Sequence, residues 1–134
     1  MMTLKLTSTD TIQTIQTNFR SLFTHLRPEF YKKSHNSEEG NAKNEQYLHN
    51  ITLAEMTGNA EDILLDIDPN MSTNDFEQYV KKPHQLNIQL FRLQRGTWLQ
   101  TTLSDALSLE AQNQKGIQAD INIAAIKPTD VDLE

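Results

Sequence analysis

The same order of sequence patterns occurs twice along this chain, and that recurrence constrains its fold more than any motif does. Ile12, Ile15, Phe19, Leu22, Phe23 and Leu26 follow the 3.6-residue period and predict a first helix with Ser8 as its N-cap. A short extended segment, EFYKK, follows Pro28, and SHNSEEGNAKNEQ then offers almost nothing to bury and reads as a long loop. Thr52 and Glu55 have capping-box spacing inside an Ile51–Met56 staple, so a short helix begins near Leu53 and ends at Gly58. In DILLDID, Ile63, Leu65 and Ile67 alternate with the acidic Asp62, Asp66 and Asp68, apart from Leu64, which predicts a strand with one wet face.

The second pass begins at Ser72, with Asp75 at the third helical position and Met71 and Phe76 at staple positions. Phe76, Tyr79 and Val80 form the helix face, and Pro83 is expected to end it. Leu86, Ile88 and Leu90 then alternate with Asn87 and Gln89 until the phase flips at Phe91 and Leu93, which signals a bulge or a strand covered on both faces. Arg95-Gly96 makes a hairpin turn and TWLQTT returns. SDALSLEAQNQK reads as a helix from a Ser104 cap to Gly116, followed by a strand carrying Ile117, Ala119, Ile121 and Ile123 on one face. Phe19 and Phe76, Thr52 and Ser108, and Ile63 and Ile121 lie 57, 56 and 58 residues apart. The expected fold is therefore α+β: two pseudo-repeats of helix, β-hairpin, short helix and strand, about 8–68 and 71–126, packed as the single domain 1–134.

Composition narrows the function classes. The chain has no cysteine, which excludes thiol catalysis, disulfides and zinc–thiolate sites and suits a reducing compartment. No apolar run is long enough to span a bilayer and MMTLKLTSTD lacks a signal-peptide core, so a cytoplasmic protein without a membrane partner is expected. A net charge of −6 repels a phosphate backbone and argues against nucleic acid as a partner; Lys32-Lys33 beside Tyr31 reads as a solvated strand end.

The sharpest chemical motif is DIDPNMSTNDFE. It sets Asp66, Asp68, Asn70 and Glu77 at positions one, three, five and twelve of a calcium loop, but Met71 stands where that loop needs glycine. The other reading of these residues is a wet strand face, a Pro-Asn turn and a helix cap. His25 and His84 sit where they would meet the free carbonyls of helix ends, and His35 and His49 flank the long loop with Glu38, Glu39 and Glu45 without metal-site spacing. Neither a nucleophile elbow nor a phosphate-binding glycine motif exists among Gly40, Gly58, Gly96 and Gly116. Asp66 and Asp68 share a strand face, an arrangement that could serve acid–base chemistry but is more common as solvated carboxylates. Trp98, the single tryptophan, reads first as core and second as an exposed contact residue.

The stretch FEQYVKKPHQLNIQLFRLQRGTWLQTTLSDALSLEAQNQKG resembles a family of small uncharacterised bacterial proteins that carry W-L-E-T-T followed by L-E-x-Q-N-x-x-G. The residues that carry the resemblance are Leu86, Ile88, Leu90, Phe91 and Arg92, then Trp98, Leu99, Thr101 and Thr102, then Leu109, Glu110, Gln112, Asn113 and Gly116. FYKKSHNSEEGNAK and ITLAEM are similar to that family's first half, so the likeness covers most of residues 19 to 116. Gln100 and Ala106-Leu107 depart from its pattern, where a glutamate and an acidic-Trp pair are expected. The family implies a fold and no activity, substrate or cofactor.

Together these readings predict a non-enzymatic interaction module that needs no cofactor and binds another protein or itself through Arg92, Arg95, Trp98 and Gln100. The alternatives are a metal-binding protein using the 66–77 loop, and an acidic inhibitor or immunity-type protein that presents carboxylates to a basic target.

Overall fold

In the computed structural model, which describes residues 1–32 and 45–125, there are two antiparallel sheets, each containing one pair of strands distant in sequence. β1 (Met2–Leu6) pairs with β3 (Ile63–Ile67) around Leu4 opposite Leu65. β2 (Leu26–Tyr31), β4 (Asn87–Gln94) and β5 (Thr97–Gln100) form the second sheet in the order β2-β4-β5. Four helices complete the fold: α1 (Ile12–Leu22), α2 (Leu53–Thr57), α3 (Thr73–His84) and α4 (Leu109–Ala125). The fold is α+β as expected.

The core follows from periodicity. Ile12, Ile15 and Phe19 of α1 and Phe76 and Val80 of α3 bury the helical stripes, with the Phe19 and Phe76 rings 5.7 Å apart. Leu26 and Phe30 of β2 and Ile88 and Leu90 of β4 supply one sheet face, and Leu4, Leu6, Ile63, Leu65 and Ile67 supply the inner face of the β1–β3 pair. Burying these side chains is the main force holding the domain together, at about 25 cal/mol per Å² of apolar surface. Alternation keeps Leu64 and Asp66 of β3 on the wet side. The Thr52–Glu55 capping box closes in both directions, and Gly58 takes φ 79° to end α2.

Several expectations need correction. Thr11, not Ser8, caps α1, because the strand β1 precedes the helix and the chain must first turn, through Asp10 N–H to Thr7 O. Leu26 belongs to β2 and not to the first helix, and Pro28 lies inside that strand, its carbonyl taken by Gln16 Nε2 at 2.8 Å. Pro83 does not end α3; the helix continues to His84 and closes through Gln85 N–H to Lys81 O. The largest difference concerns residues 117–123, which continue α4 straight through Gly116 instead of forming a strand. The stripe that α4 buries is Leu109, Gln112, Asn113, Gly116 and Ala119, with helical spacing but little hydrophobicity, while Ile121 is exposed. Ser108, not Ser104, caps this helix, accepting from Ala111 N–H.

With no strand after α4 within the described residues, the second unit does not end as expected. What recurs is a different unit, strand-helix-strand, at a spacing of 61 residues: the caps Thr11 and Ser72, and the central pair Leu4 and Leu65. The contacts that seat the following helix recur with it. Leu53 N–H bonds Asp10 O as Leu109 N–H bonds Met71 O, and Ala54 N–H bonds Ser8 O as Glu110 N–H bonds Pro69 O. Ile12 N–H to Ile51 O is likewise matched by Thr73 N–H to Leu107 O. The loop expectation for SHNSEEGNAKNEQ falls largely outside the described residues, as do His35, Glu38 and Glu39.

Candidate functional site

The hairpin β4–β5 turns on two residues with positive φ, Arg95 at 54° and Gly96 at 77°, the pattern of a type I′ turn whose twist matches the strands. Gln94 and Thr97 close it, and Leu93 faces Trp98 while Arg92 faces Leu99. Because successive side chains alternate across a sheet, Trp98 and Gln100 share one face with Phe91 and Leu93, and Arg92 lies on the other. The structure therefore separates the four predicted contact residues.

Arg92 is a tie within the fold. Its Nη1 donates to Gln112 Oε1 of α4 at 2.7 Å and its Nε to Gln94 Oε1 at 3.0 Å. Partial burial moves its guanidinium pKa down. Arg95 is exposed at the hairpin tip, and Gln100 lines a cleft beside Trp98.

Trp98 is neither the core residue expected first nor a free surface ring. It is half-buried, with the Arg27 guanidinium 4.4 Å and that of Arg20 4.9 Å from its ring centroid, both in cation–π range. Arg20 is held in turn by two bonds to Thr24 O, from Nε at 3.0 Å and from Nη2 at 2.8 Å. Arg27 Nη2 lies 3.1 Å from Glu29 Oε2, and His49 Nε2 lies 2.9 and 3.0 Å from the two Glu29 oxygens. This buried carboxylate, 1 % exposed, thus has partners on both oxygens. Tyr31, also in this row, has its phenol pKa pushed up by burial and then by Glu29. Arg27, Glu29, Tyr31, Phe91, Trp98 and Gln100 line a cleft of about 320 Å³.

Sequence reading missed Arg20, Arg27 and Glu29, and set His49 with the long loop rather than on Glu29. The signal for two of them was present, since Arg27, Glu29 and Tyr31 alternate through LRPEFY as one polar strand face, but the break after Pro28 hid the period.

The calcium-loop residues are not gathered around a point. Asp68 Oδ1 accepts Asn70 N–H at 2.9 Å within the turn, Asp66 lies on the wet face of β3, and Ser72 caps α3. Glu77 points the other way: it is 2 % exposed, and its Oε2 accepts Leu90 N–H at 2.8 Å. Among the described residues, no group of three or more His, Asp or Glu side chains is placed to hold a metal ion. His25 does not cap α1; it bonds Asp120 Oδ2 of α4 at 2.6 Å and Thr24 Oγ1 at 2.8 Å. His84 ends α3.

Glu77 marks the place where β5 leaves the sheet. Thr101 N–H still reaches Leu90 O at 3.3 Å, but Leu90 N–H is received by the Glu77 carboxyl where an antiparallel ladder would use main chain. Burial is the first cause that raises the Glu77 pKa, to about 8; Leu90 N–H opposes it, and buried Asp105 adds to it.

Comparison with protein-family models, curated proteins and solved structures finds no match. The site therefore has to be read from its own geometry.

Proposed function

We propose that this protein is a non-enzymatic interaction module, and that it receives another protein chain, or a second copy of itself, as an added strand along β5. The observation that carries this reading is the position of β5: it ends the three-stranded sheet, and in the described residues it has a ladder partner on one side only. Thr97 and Thr101 turn their main-chain groups toward β4, so the alternate residues, with Trp98 among them, turn theirs outward. An outward row of donors and acceptors is the template used in strand addition.

Two features add to it. Leu99 and Leu103 are 38 % and 88 % exposed beside this edge, an apolar rim that a partner would cover. Trp98 is held by two arginines, so an incoming chain would order few side chains on contact. Gln100, one of the two departures from the resembled family, lies on this same strand. No helix of the described residues is long and apolar enough to cross a membrane, and the absence of cysteine supports a cytoplasmic setting for the interaction.

The test is a photo-crosslinking amino acid placed at position 99 and, separately, at position 64, where Leu64 is 62 % exposed on the other sheet. Defined protein adducts from position 99 and none from position 64 are expected. Adducts at both positions, or none at 99, would contradict the reading.

A further inference from the structure

We infer that the flank of α4 beside the β4–β5 hairpin tip is a docking surface for an acidic, extended segment of another protein. This flank lies on a different element from the β5 edge, and neither surface depends on the other.

α4 sits close to the sheet because Gly116 has no side chain to meet Leu93 O. Its stripe of Leu109, Gln112, Asn113, Gly116 and Ala119 is buried there, which sets the neighbouring stripe along the side of the hairpin. At about 100° per residue, Ala111, Lys115, Gln118 and Asn122 fall within about 60° of one another, with Gln114 at their margin. With Arg95 at the hairpin tip they line a groove of about 460 Å³.

The sign of the groove is opposite to that of the chain. Arg95 and Lys115 are the charged residues of its lining, and both are cations, on a protein that carries −6. Glu110 and Asp120, the acidic residues of α4, fall at least about 80° outside the stripe, and Asp120 is held by His25. For a docked chain the nearest charges decide, because exposed charges farther off are screened over about 8 Å. The lining is also available: among the described residues, no hydrogen bond or ion pair engages the side chains of Arg95, Gln114, Lys115, Gln118 or Asn122. Arg95 holds φ 54°, where a type I′ turn favours asparagine or glycine, so a cation stands where turn chemistry alone would not put one.

Spacing then selects the form of the occupant. Gln114, Gln118 and Asn122 follow one another every fourth residue, a helical rise of about 6 Å. In an extended chain, main-chain groups facing one way recur every second residue, about 6.7 Å apart. Each carboxamide offers both a donor and an acceptor to such a peptide group. Two cations suit a few carboxylates on a peptide and not a nucleic-acid backbone, which carries a charge on every nucleotide.

The test is a titration of the isotope-labelled full chain with an octapeptide of alternating aspartate and threonine, followed through the side-chain NH2 signals of Gln114, Gln118 and Asn122. Threonine is chosen because a β-branched side chain favours extended backbone. An octapeptide of alternating asparagine and threonine, and an octathymidylate, are titrated in parallel. The expected result is a saturable shift of all three signals with the aspartate peptide, weakened by added salt, and binding about tenfold weaker for the asparagine peptide. Arg95→Asn, which suits the turn, and Lys115→Gln, at an exposed helical position, should each fold as the wild type does and bind the aspartate peptide about two- to fivefold more weakly. No shift of the three signals, equal binding of the two peptides, or a larger response to octathymidylate overturns the inference. Shifts confined to residues 97–100 overturn it as well, and place the peptide on the β5 edge instead.

Discussion

Replacing Glu77 with glutamine is expected to stabilise the protein at neutral pH and to flatten its pH dependence. The Glu77 carboxyl is 2 % exposed and its pKa is raised from the ordinary 4.5 to about 8. Between those values the folded chain holds a proton that the unfolded chain has released, so stability is fully present below the lower value and is lost as pH rises through the higher one. At 1.36 kcal/mol per pKa unit, the wild type is roughly 3 kcal/mol less stable at pH 7 than this group would allow if it stayed neutral in both states. Glutamine is neutral at every pH, and its oxygen can still accept Leu90 N–H while its amide faces Asp105 without repulsion. The site 61 residues earlier already carries Gln16, buried in α1 and bonded to β2. Urea unfolding at pH 5, 6, 7 and 8 should give curves that converge at low pH and separate in favour of Glu77→Gln as pH rises. Parallel pH profiles for the two proteins would contradict this account.

Gly116→Ala should act in the opposite sense and against helix propensity, which by itself favours alanine over glycine by about 1 kcal/mol. Gly116 lies in mid-α4, where a Cβ would run into the Leu93 carbonyl oxygen and stand 2.8 Å from His25 Cβ. Leu93 O is backbone of a sheet strand and cannot move aside alone, so α4 must lift. That shift strains Gln112 to Arg92 at 2.7 Å, Asn113 Oδ1 to His25 N–H at 2.8 Å, and Asp120 to His25 at 2.6 Å. A net loss of about 2 kcal/mol or more is expected from overpacking of this kind. A thermal melt checks it: a Tm equal to or above that of the wild type would show that α4 does not sit this close to the sheet.

The same helix shows where sequence reading stops. Local chemistry declares itself: Thr52 with Glu55, Ser72 with Asp75, Arg95-Gly96 and the alternation from Ile63 to Ile67 each fix a piece of structure within a few residues, and the structure contains all four. α4 was misread because Gln112, Asn113 and Gly116 are buried for reasons that lie in Arg92, His25 and Leu93, and no hydrophobic period reports a polar stripe. β1 was missed because Leu4 and Leu6 acquire partners only from β3, where Leu65 and Ile63 lie 61 and 57 residues away. Trp98 shows the third kind of miss. Its environment is made by Arg20 of α1 and Arg27 of β2, so its place between core and surface depended on contacts that span the whole chain.

The most direct measurement of the central claim, that β5 is an open edge able to receive a strand, is amide hydrogen exchange at Trp98 followed against protein concentration. In dilute protein the Trp98 amide should exchange much faster than those of Thr97 and Leu99, which face β4, and its protection should grow as the edge is occupied. A Trp98 amide as well protected as its neighbours in dilute protein would show that the edge is already covered within the chain, and would contradict the claim.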